Sequence, residues 1–433
     1  MIRRYILFGL ITLLFSVSVY AQYEQTGGFA RLRSMGNNPY IVDPYFMTVN
    51  PAWGGHYQNF IFGDLGSQTT PWGAGGSGQF IGANFHLGGG LSLGAMLTRS
   101  DFPGAGISRL DPGGLVSQIN SYLGGVGFPS PSGGPHVVAL NNNIELMGSL
   151  KSGNTVFGLG VAYASTNNEF APDTGAGLIG SASQLGFNLG IVTKLTASFL
   201  LDLGASLVMP STDFEPAAGQ VTEFSQTLIL VNGRVFWRYS PKLQFVPSVS
   251  FATASGSSEL GTPSPTGTAT SSDLTSFTLI SVGLGSNYEV GDFLLAGGLG
   301  FATFSATSPG GTNTPETSTS LFVFPVWNLG VEWDLADWLV GRFGYIAATL
   351  STTTESVASA NSVNENIITS FAGPSGFSSA GGGATVGLGF RLGNFSLDAT
   401  VNEDVIRQGL NNLGGNGGSA NTFAYLSLSY AMP

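Results

Sequence analysis

Residues Thr196–Met209 read TASFLLDLGASLVM. Phe199, Leu201, Leu203, Ala205 and Leu207 fall on one side of an alternation, and Ser198, Asp202, Gly204 and Ser206 on the other. A period of two is the mark of a strand, whose successive side chains point to opposite faces. Asp202 then shares its face with small and polar neighbours, while the other face is wholly apolar. Such a strand separates two different solvents.

The same pattern recurs from Tyr57 to the C-terminus. Near residue 384, Val386, Leu388, Phe390 and Leu392 oppose Thr385, Gly387, Gly389 and Arg391, and the last segment aligns Ala424, Leu426, Leu428 and Tyr430. Sixteen candidate strands emerge, near 57–65, 77–87, 91–99, 137–150, 154–165, 181–194, 196–209, 222–239, 242–254, 274–289, 292–305, 319–333, 337–349, 383–392, 394–402 and 421–430. Their connections alternate in length. Short turns at Gly88–Gly90, Lys151–Gly153, Leu195, Ser240–Pro241, Val290–Gly291, Leu335–Ala336 and Gly393 are interleaved with long Gly/Ser/Thr/Asn-rich loops, among them 100–136, 255–273, 350–382 and 403–420. Tight hairpins on one side and long loops on the other describe a transmembrane antiparallel β-barrel of the bacterial outer membrane. Closure is required, because an open edge in lipid leaves backbone amides unpaired at several kcal/mol each. No blade repeat or nine-residue glycine motif points to a propeller or β-helix.

Composition agrees. The chain of 433 residues carries 65 glycines, 9% charged residues and no cysteine, which excludes disulfides and thiolate metal sites. Arg3 and Arg4 precede an apolar segment from Tyr5 to Val19, followed by Val19-Tyr20-Ala21, which reads as a secretory signal over residues 1–21 cut before Gln22. Removing it takes away two arginines and leaves 12 basic against 25 acidic residues, a formal charge of −13 that argues against a nucleic-acid partner.

If the alternation holds, Glu145, Lys194, Asp202, Arg234, Arg238, Glu332, Arg342, Arg391 and Asp398 face the lumen. They either cross-pair to fill a polar interior or present guanidinium groups to the carboxylate or phosphate head of a passing ligand. Arg234 and Arg238, four apart on one strand, and Arg342 are the candidate ligand-binding residues. In the first long loop, LDPGGLVSQINSYLGG (Leu110–Gly125) offers Asp111 as N-cap, Pro112 at the first helical position and Gly124 as a stop. Leu115, Ile119, Tyr122 and Leu123 recur at helical spacing, as a lid packed onto the barrel or as a landing site for a greasy ligand. Enzymatic signals are weak. His56, His86 and His136 have no zinc-protease spacing, and no nucleophile elbow or P-loop is present, so the chain reads as a non-enzyme without cofactor. His86 is expected to face the lumen.

The segment RLRSMGNNPYIVDPYFMTVNPAW (Arg31–Trp53) resembles the start of the FadL-type long-chain fatty-acid transporters and their PorV-type relatives, through Gly36, Asp43, Asn50, Pro51 and Ala52. Trp53 intervenes before Gly54 and Gly55, where the family often has glycine directly. The resemblance covers these thirty or so residues. It implies a barrel of about fourteen strands, against the sixteen counted from alternation, whose N-terminal segment plugs the lumen while hydrophobic ligands are captured outside.

The expected organisation is therefore a signal (1–21), a lumenal plug or hatch (22–56) and a barrel (57–433). Asn50, Pro51 and Ala52 stand at the passage from plug to wall as a hinge, with Gly54 and Gly55 providing a sharp turn. The expected function is passive uptake or shuttling of hydrophobic small molecules such as long-chain fatty acids. The alternative is a barrel serving protein secretion or surface assembly through its loops. The expected partners are the lipid bilayer and a hydrophobic ligand, with secretion or surface proteins under the alternative.

Overall fold

The computed structural model describes residues 27–64, 80–100, 102, 106–125, 137, 139–170, 178–215, 221–260, 270–310, 315–358, 361–371, 383–401 and 423–433. The expected signal at 1–21 and His136 lie outside them. The strands are β1 (Phe60–Asp64), β2 (Phe80–Gly88), β3 (Leu91–Arg99), β4 (Asn142–Ser152), β5 (Thr155–Phe170), β6 (Leu178–Thr196), β7 (Phe199–Glu215), β8 (Thr222–Arg238), β9 (Leu243–Leu260), β10 (Thr270–Asp273), β11 (Ser276–Val290), β12 (Phe293–Ser308), β13 (Thr317–Ala336), β14 (Leu339–Ala358), β15 (Asn361–Phe371), β16 (Gly383–Leu392), β17 (Phe395–Val401) and β18 (Phe423–Ala431).

Each strand pairs antiparallel with its neighbours, and β1 pairs with both β2 and β18, which closes the sheet. Two wall positions are each built from two segments. β10 and β11 lie in succession along β9, and β15 and β16 along the outer and inner parts of β14. Eighteen segments thus make sixteen positions, the number counted from alternation and two more than the fourteen the family resemblance implies.

All sixteen expected strands exist, the short β1 included. The correction lies at their outer ends. β7 runs to Glu215, β9 to Leu260 and β14 to Ala358, and β15 occupies part of what reads as a loop over 350–382. A membrane crossing needs about 9–11 residues, whereas β5–β9 and β11–β14 have 15 to 20. Beyond the bilayer no lipid face has to be apolar. Stretches such as Ser351–Glu355 (STTTE) therefore lose the alternation that betrays a strand.

At the other end the strands are joined by tight turns. Gly153, Gly291 and Gly393 adopt φ of 59°, 58° and 62° there, a left-handed conformation that glycine enters without steric cost. The outward side chains include exposed Leu146, Leu159, Leu189, Leu284 and Leu299. Trp237, Tyr239, Phe293, Trp333, Trp338 and Tyr430, all near the tight turns, form an exposed aromatic belt, as expected at a membrane interface. No helix among the described residues is long and apolar enough to cross a membrane. The crossing is made by strands. The fold is that of an outer-membrane β-barrel.

Outward and inward faces are thereby testable by charge. Leu189→Arg, on the lipid side of β6, is expected to lower folding stability by about 2–4 kcal/mol in lipid vesicles, measured by denaturant titration. A stability change within about 0.5 kcal/mol contradicts the assigned facing.

Candidate functional site

The segment from Gly27 to Gln58 fills the lumen. It contains a short helix (Phe29–Ser34) and two single-turn 3-10 helices, Pro44–Thr48 and Pro51–Gly55. Asp43 and Asn50 cap the 3-10 helices, each accepting the amide of the residue two further on at 2.9 Å. A chain with so many orphan carbonyls is buried only if the wall supplies donors. Inward-facing asparagines do so. Asn84 donates to the Gly54 and Tyr57 carbonyls at 2.7 Å, Asn287 to Tyr40 at 2.8 Å and Asn328 to Gly36 at 2.7 Å. Opposite them, missing side chains make room: a Cβ at Gly158 would overlap Ala52, one at Gly285 the ring of Tyr40, and one at Gly344 the backbone of Gly36.

Two buried ionic clusters tie plug to wall. Arg31 of the plug forks onto Glu332 of β13 through Nε and Nη2, both at 2.8 Å, and reaches Asp43 at 3.2 Å. Arg342 of β14 bridges Glu332 and Asp398 at 2.5 Å each. In the second cluster, Arg234 Nε and Nη2 bind Asp202 at 2.9 and 2.5 Å, and Nη1 donates to the carbonyls of Pro39 and Ile41 at 2.9 and 3.2 Å. The guanidinium also lies 3.7 Å from the Phe46 ring centre. Asp202 accepts in addition from Asn50 Nδ2 at 2.6 Å and Trp53 Nε1 at 3.2 Å.

The expected site residues therefore separate. Arg234 and Arg342 are engaged with carboxylates and plug carbonyls. Arg238 keeps the inward face it shares with Arg234 but lies beyond the buried Phe236, in a recess of 100 Å³ near the tight turns with Lys194 and Glu289. The three arginines are not brought to one ligand-binding point. Asn50, Pro51 and Ala52 are buried, and Asn50 ties them to β7 through Asp202 and the Leu203 carbonyl. Gly54 and Gly55 belong to the 3-10 helix, packed against Ser149 and Val156, and do not make the sharp turn. The exit to β1 is made by Asn59, whose φ is 52°. His86 keeps the inward parity of Asn84, but stands exposed at the rim.

The expected loop helix exists but begins at Leu115 and not at Pro112, spanning Leu115–Gly125: residues 111–114 form a turn with Gly114 at a φ of 66°, and Asp111 still accepts from the Leu115 and Val116 amides at 2.6 and 3.2 Å. Leu115, Ile119 and Leu123 are fully buried against the inward faces of Phe214, Phe224, Ala164 and Ala182. This is the packed lid, with no exposed landing face on those three residues; the Tyr122 side chain lies outside the described residues. Ahead of the helix, Gly106–Leu110 dips into the lumen as a strap that the sequence reading missed. Thr98, Asn143 and Gln184 donate to the carbonyls of Ser108, Ile107 and Arg109 at 2.8, 3.0 and 2.8 Å, and Ser108 donates to the buried Glu145. Gly106 lies so close to the Thr48 carbonyl that no Cβ would fit. Lid, strap and plug are thus stacked in order down the lumen.

Between plug and wall lies a cavity of 450 Å³, within the ~300–1,000 Å³ usual for small-molecule sites. Phe46 and Val49 of the plug, with Leu230, Ala252, Leu279 and Ala302 of the wall, supply its apolar surface. Above it, Val208, Leu228, Ala254 and Ile107 pack together, with Leu230 and Phe277 against them, and above these sits the lid cluster. On β8 Phe224, Gln226, Leu228 and Leu230 face inward in succession. The arrangement can hold a small apolar molecule and exclude water from it. Among the described residues no group of three or more His, Asp or Glu side chains is placed to hold a metal ion.

Removing Arg234 strands a buried carboxylate. Arg234→Met is expected to cost about 3–5 kcal/mol and to undock the plug, seen as faster amide exchange over residues 36–57 with the β circular-dichroism signal retained. Burial, helped by Lys151 and Lys194, brings the His56 imidazole down to about 4 from 6.5. As pH falls through that window the free segment takes up a proton that the docked one refuses, so docking weakens. Burial lifts the Asp43 carboxyl to about 7, a response of opposite sign. The difference between wild type and His56→Gln isolates His56: the wild type is expected to lose more exchange protection between pH 6.5 and pH 4.

No protein family matches the chain, and no curated protein does. Among solved structures it is similar to the FrpB iron transporter from Neisseria meningitidis (F3-3 variant), at 11% identity and a TM-score of 0.39, covering 81% of this chain and 62% of that one. It is similar to the toluene transporter TodX from Pseudomonas putida at 10% identity and a TM-score of 0.35, covering 94% and 97%. The copper transporter OprC gives 11% identity and a TM-score of 0.39, with 79% and 61% covered. The chain spans about three fifths of the length of the iron and copper transporters.

Proposed function

We propose that this protein resides in the bacterial outer membrane and passes hydrophobic small molecules through its lumen by diffusion, without cofactor or energy source. Long-chain fatty acids are the class that the N-terminal resemblance implies. The observation that carries the reading is a succession of inward apolar groups, from the lid (Phe214, Phe224, Leu115), past the buried Gln226 and Thr212, to Ile107, Val208 and Leu228 and then the cavity at Leu230 and Leu279. A lumen that only had to be filled would be served by cross-paired charge. Here the charged pair at the cavity, Arg234 and Asp202, is closed on itself, and the rest of the lining is apolar or neutral.

In this mechanism the ligand displaces lid and strap, leaves water on contact with these apolar groups, and rests against Phe46 and Val49. Onward movement requires the plug to shift, which breaks the contacts of Asp202 with Asn50 and Trp53. Barrels reconstituted in vesicles are expected to take up a hydrophobic probe faster than empty vesicles do. Leu230→Trp, which fills the cavity, is expected to reduce that uptake at least about tenfold with barrel stability preserved within about 1–3 kcal/mol. Deleting residues 22–49 is expected to raise ionic conductance. If intact barrels give no uptake and the deletion no conductance, the transport reading fails.

A further inference from the structure

We infer that the lumen cavity is selective for an uncharged ligand, a hydrophobic body carrying at most a hydroxyl, carbonyl or ester group, and that it discriminates against the ionised carboxylate of the same chain. The inference rests on the transport reading above and narrows its substrate class. Among the described residues lining the cavity, Arg234 is the one cation and Asp202 the one anion. They are spent on each other. Four of the five guanidinium N–H groups are accounted for by two bonds to Asp202 and by the carbonyls of Pro39 and Ile41, and Phe46 covers the guanidinium. Asp202 in turn takes Asn50 and Trp53.

What remains polar in the lining is neutral: Ser206, Asn232, Ser248, Ser250, Ser281 and Asn328. Hydroxyl and amide groups satisfy an alcohol or a carbonyl. They do not neutralise a carboxylate, which would enter desolvated beside the Asp202 charge and without a partner, a state that is costly unless the charge is paired. The other cations nearby do not line this cavity: Arg33 lines a neighbouring cavity of 260 Å³ on the other side of Pro39 and Phe46. Arg31 and Arg342 are held in the cluster around Glu332, and Arg238 and Lys194 line the separate recess near the tight turns. Selectivity thus comes from a repulsive element as well as from fit.

The test compares tritiated dodecanol with dodecanoate at pH 9, by equilibrium dialysis against the barrel in lipid nanodiscs, with empty nanodiscs subtracted. Barrel-specific binding of dodecanol is expected to be at least about tenfold tighter than that of dodecanoate, a difference of about 1.4 kcal/mol. Asp202→Asn, which leaves Arg234 with unbalanced charge, is expected to narrow or reverse the ratio. Ser250→Arg, which adds a guanidinium without touching the plug anchor, is expected to do the same and covers the event that Asp202→Asn does not fold. Equal or tighter binding of dodecanoate by the wild type overturns the inference while leaving the transport reading standing. Binding of neither compound, or dodecanol binding that Leu230→Trp leaves unchanged, removes the cavity as the site and overturns both.

Discussion

Asp202 is the group on which the interior depends. It sits in the middle of an apolar-looking strand, is 1% exposed, and receives Arg234, Asn50 and Trp53. Burying a lone carboxylate in that position would cost several kcal/mol in desolvation. With three donor residues it becomes a fixed point shared by β7, β8 and the capped 3-10 helix of the plug. Arg234 extends the same point to the carbonyls of Pro39 and Ile41. One inward charge therefore sets the depth and rotation of the plug, and through Thr48 and Gly106 the seat of the strap above it.

The arginine cluster around Glu332 holds the opposite side of the plug by the same means, and the asparagines fix what lies between. Charge and amide donors do the positioning, and glycines at 158, 285 and 344 let the plug approach the wall. Neither set of residues encloses a free cation in the cavity. The polar groups that hold the plug are consumed in holding it. The cavity chemistry is what is left: side chains of Leu, Phe, Val and Ala, with serine and asparagine between them.

Much of this was legible in the sequence because the physics that writes it is local. A strand between lipid and a wet lumen must alternate, so strand number and the inward placement of Asp202, Arg234, Glu332, Arg342 and Asp398 follow from parity alone. What was not legible has a physical reason in each case. The outer ends of β7, β9 and β14 stand outside the bilayer, where alternation is not enforced. The strap at Gly106–Leu110 is held mostly by its own carbonyls, which every residue has. The arginines read as ligand groups because pairing across strands, Arg234 with Asp202 or Arg342 with Glu332, depends on register, and one sequence does not show register. A usable signal did exist for the plug seat: asparagine in mid-strand at 84, 287 and 328, a residue that strands disfavour, marks a donor kept for something in the lumen.

The hinge expected at Asn50–Ala52 and the anchor found there are two states of one requirement. A plug that opens a path must be held by contacts that break together, and the two N–H groups of the Asn50 amide serve Asp202 and the Leu203 carbonyl, with Ile191 sharing one at 3.4 Å and the amide oxygen capping Ala52. Hydrogen bonds to a charged group contribute about 1.5–3 kcal/mol each and neutral ones less, a total within reach of a ligand that gains its own burial in the cavity beside them. On the proposed mechanism the release of Asn50 breaks these contacts together, while Arg31 on Glu332 and the asparagines at 84, 287 and 328 still tether the plug to the wall.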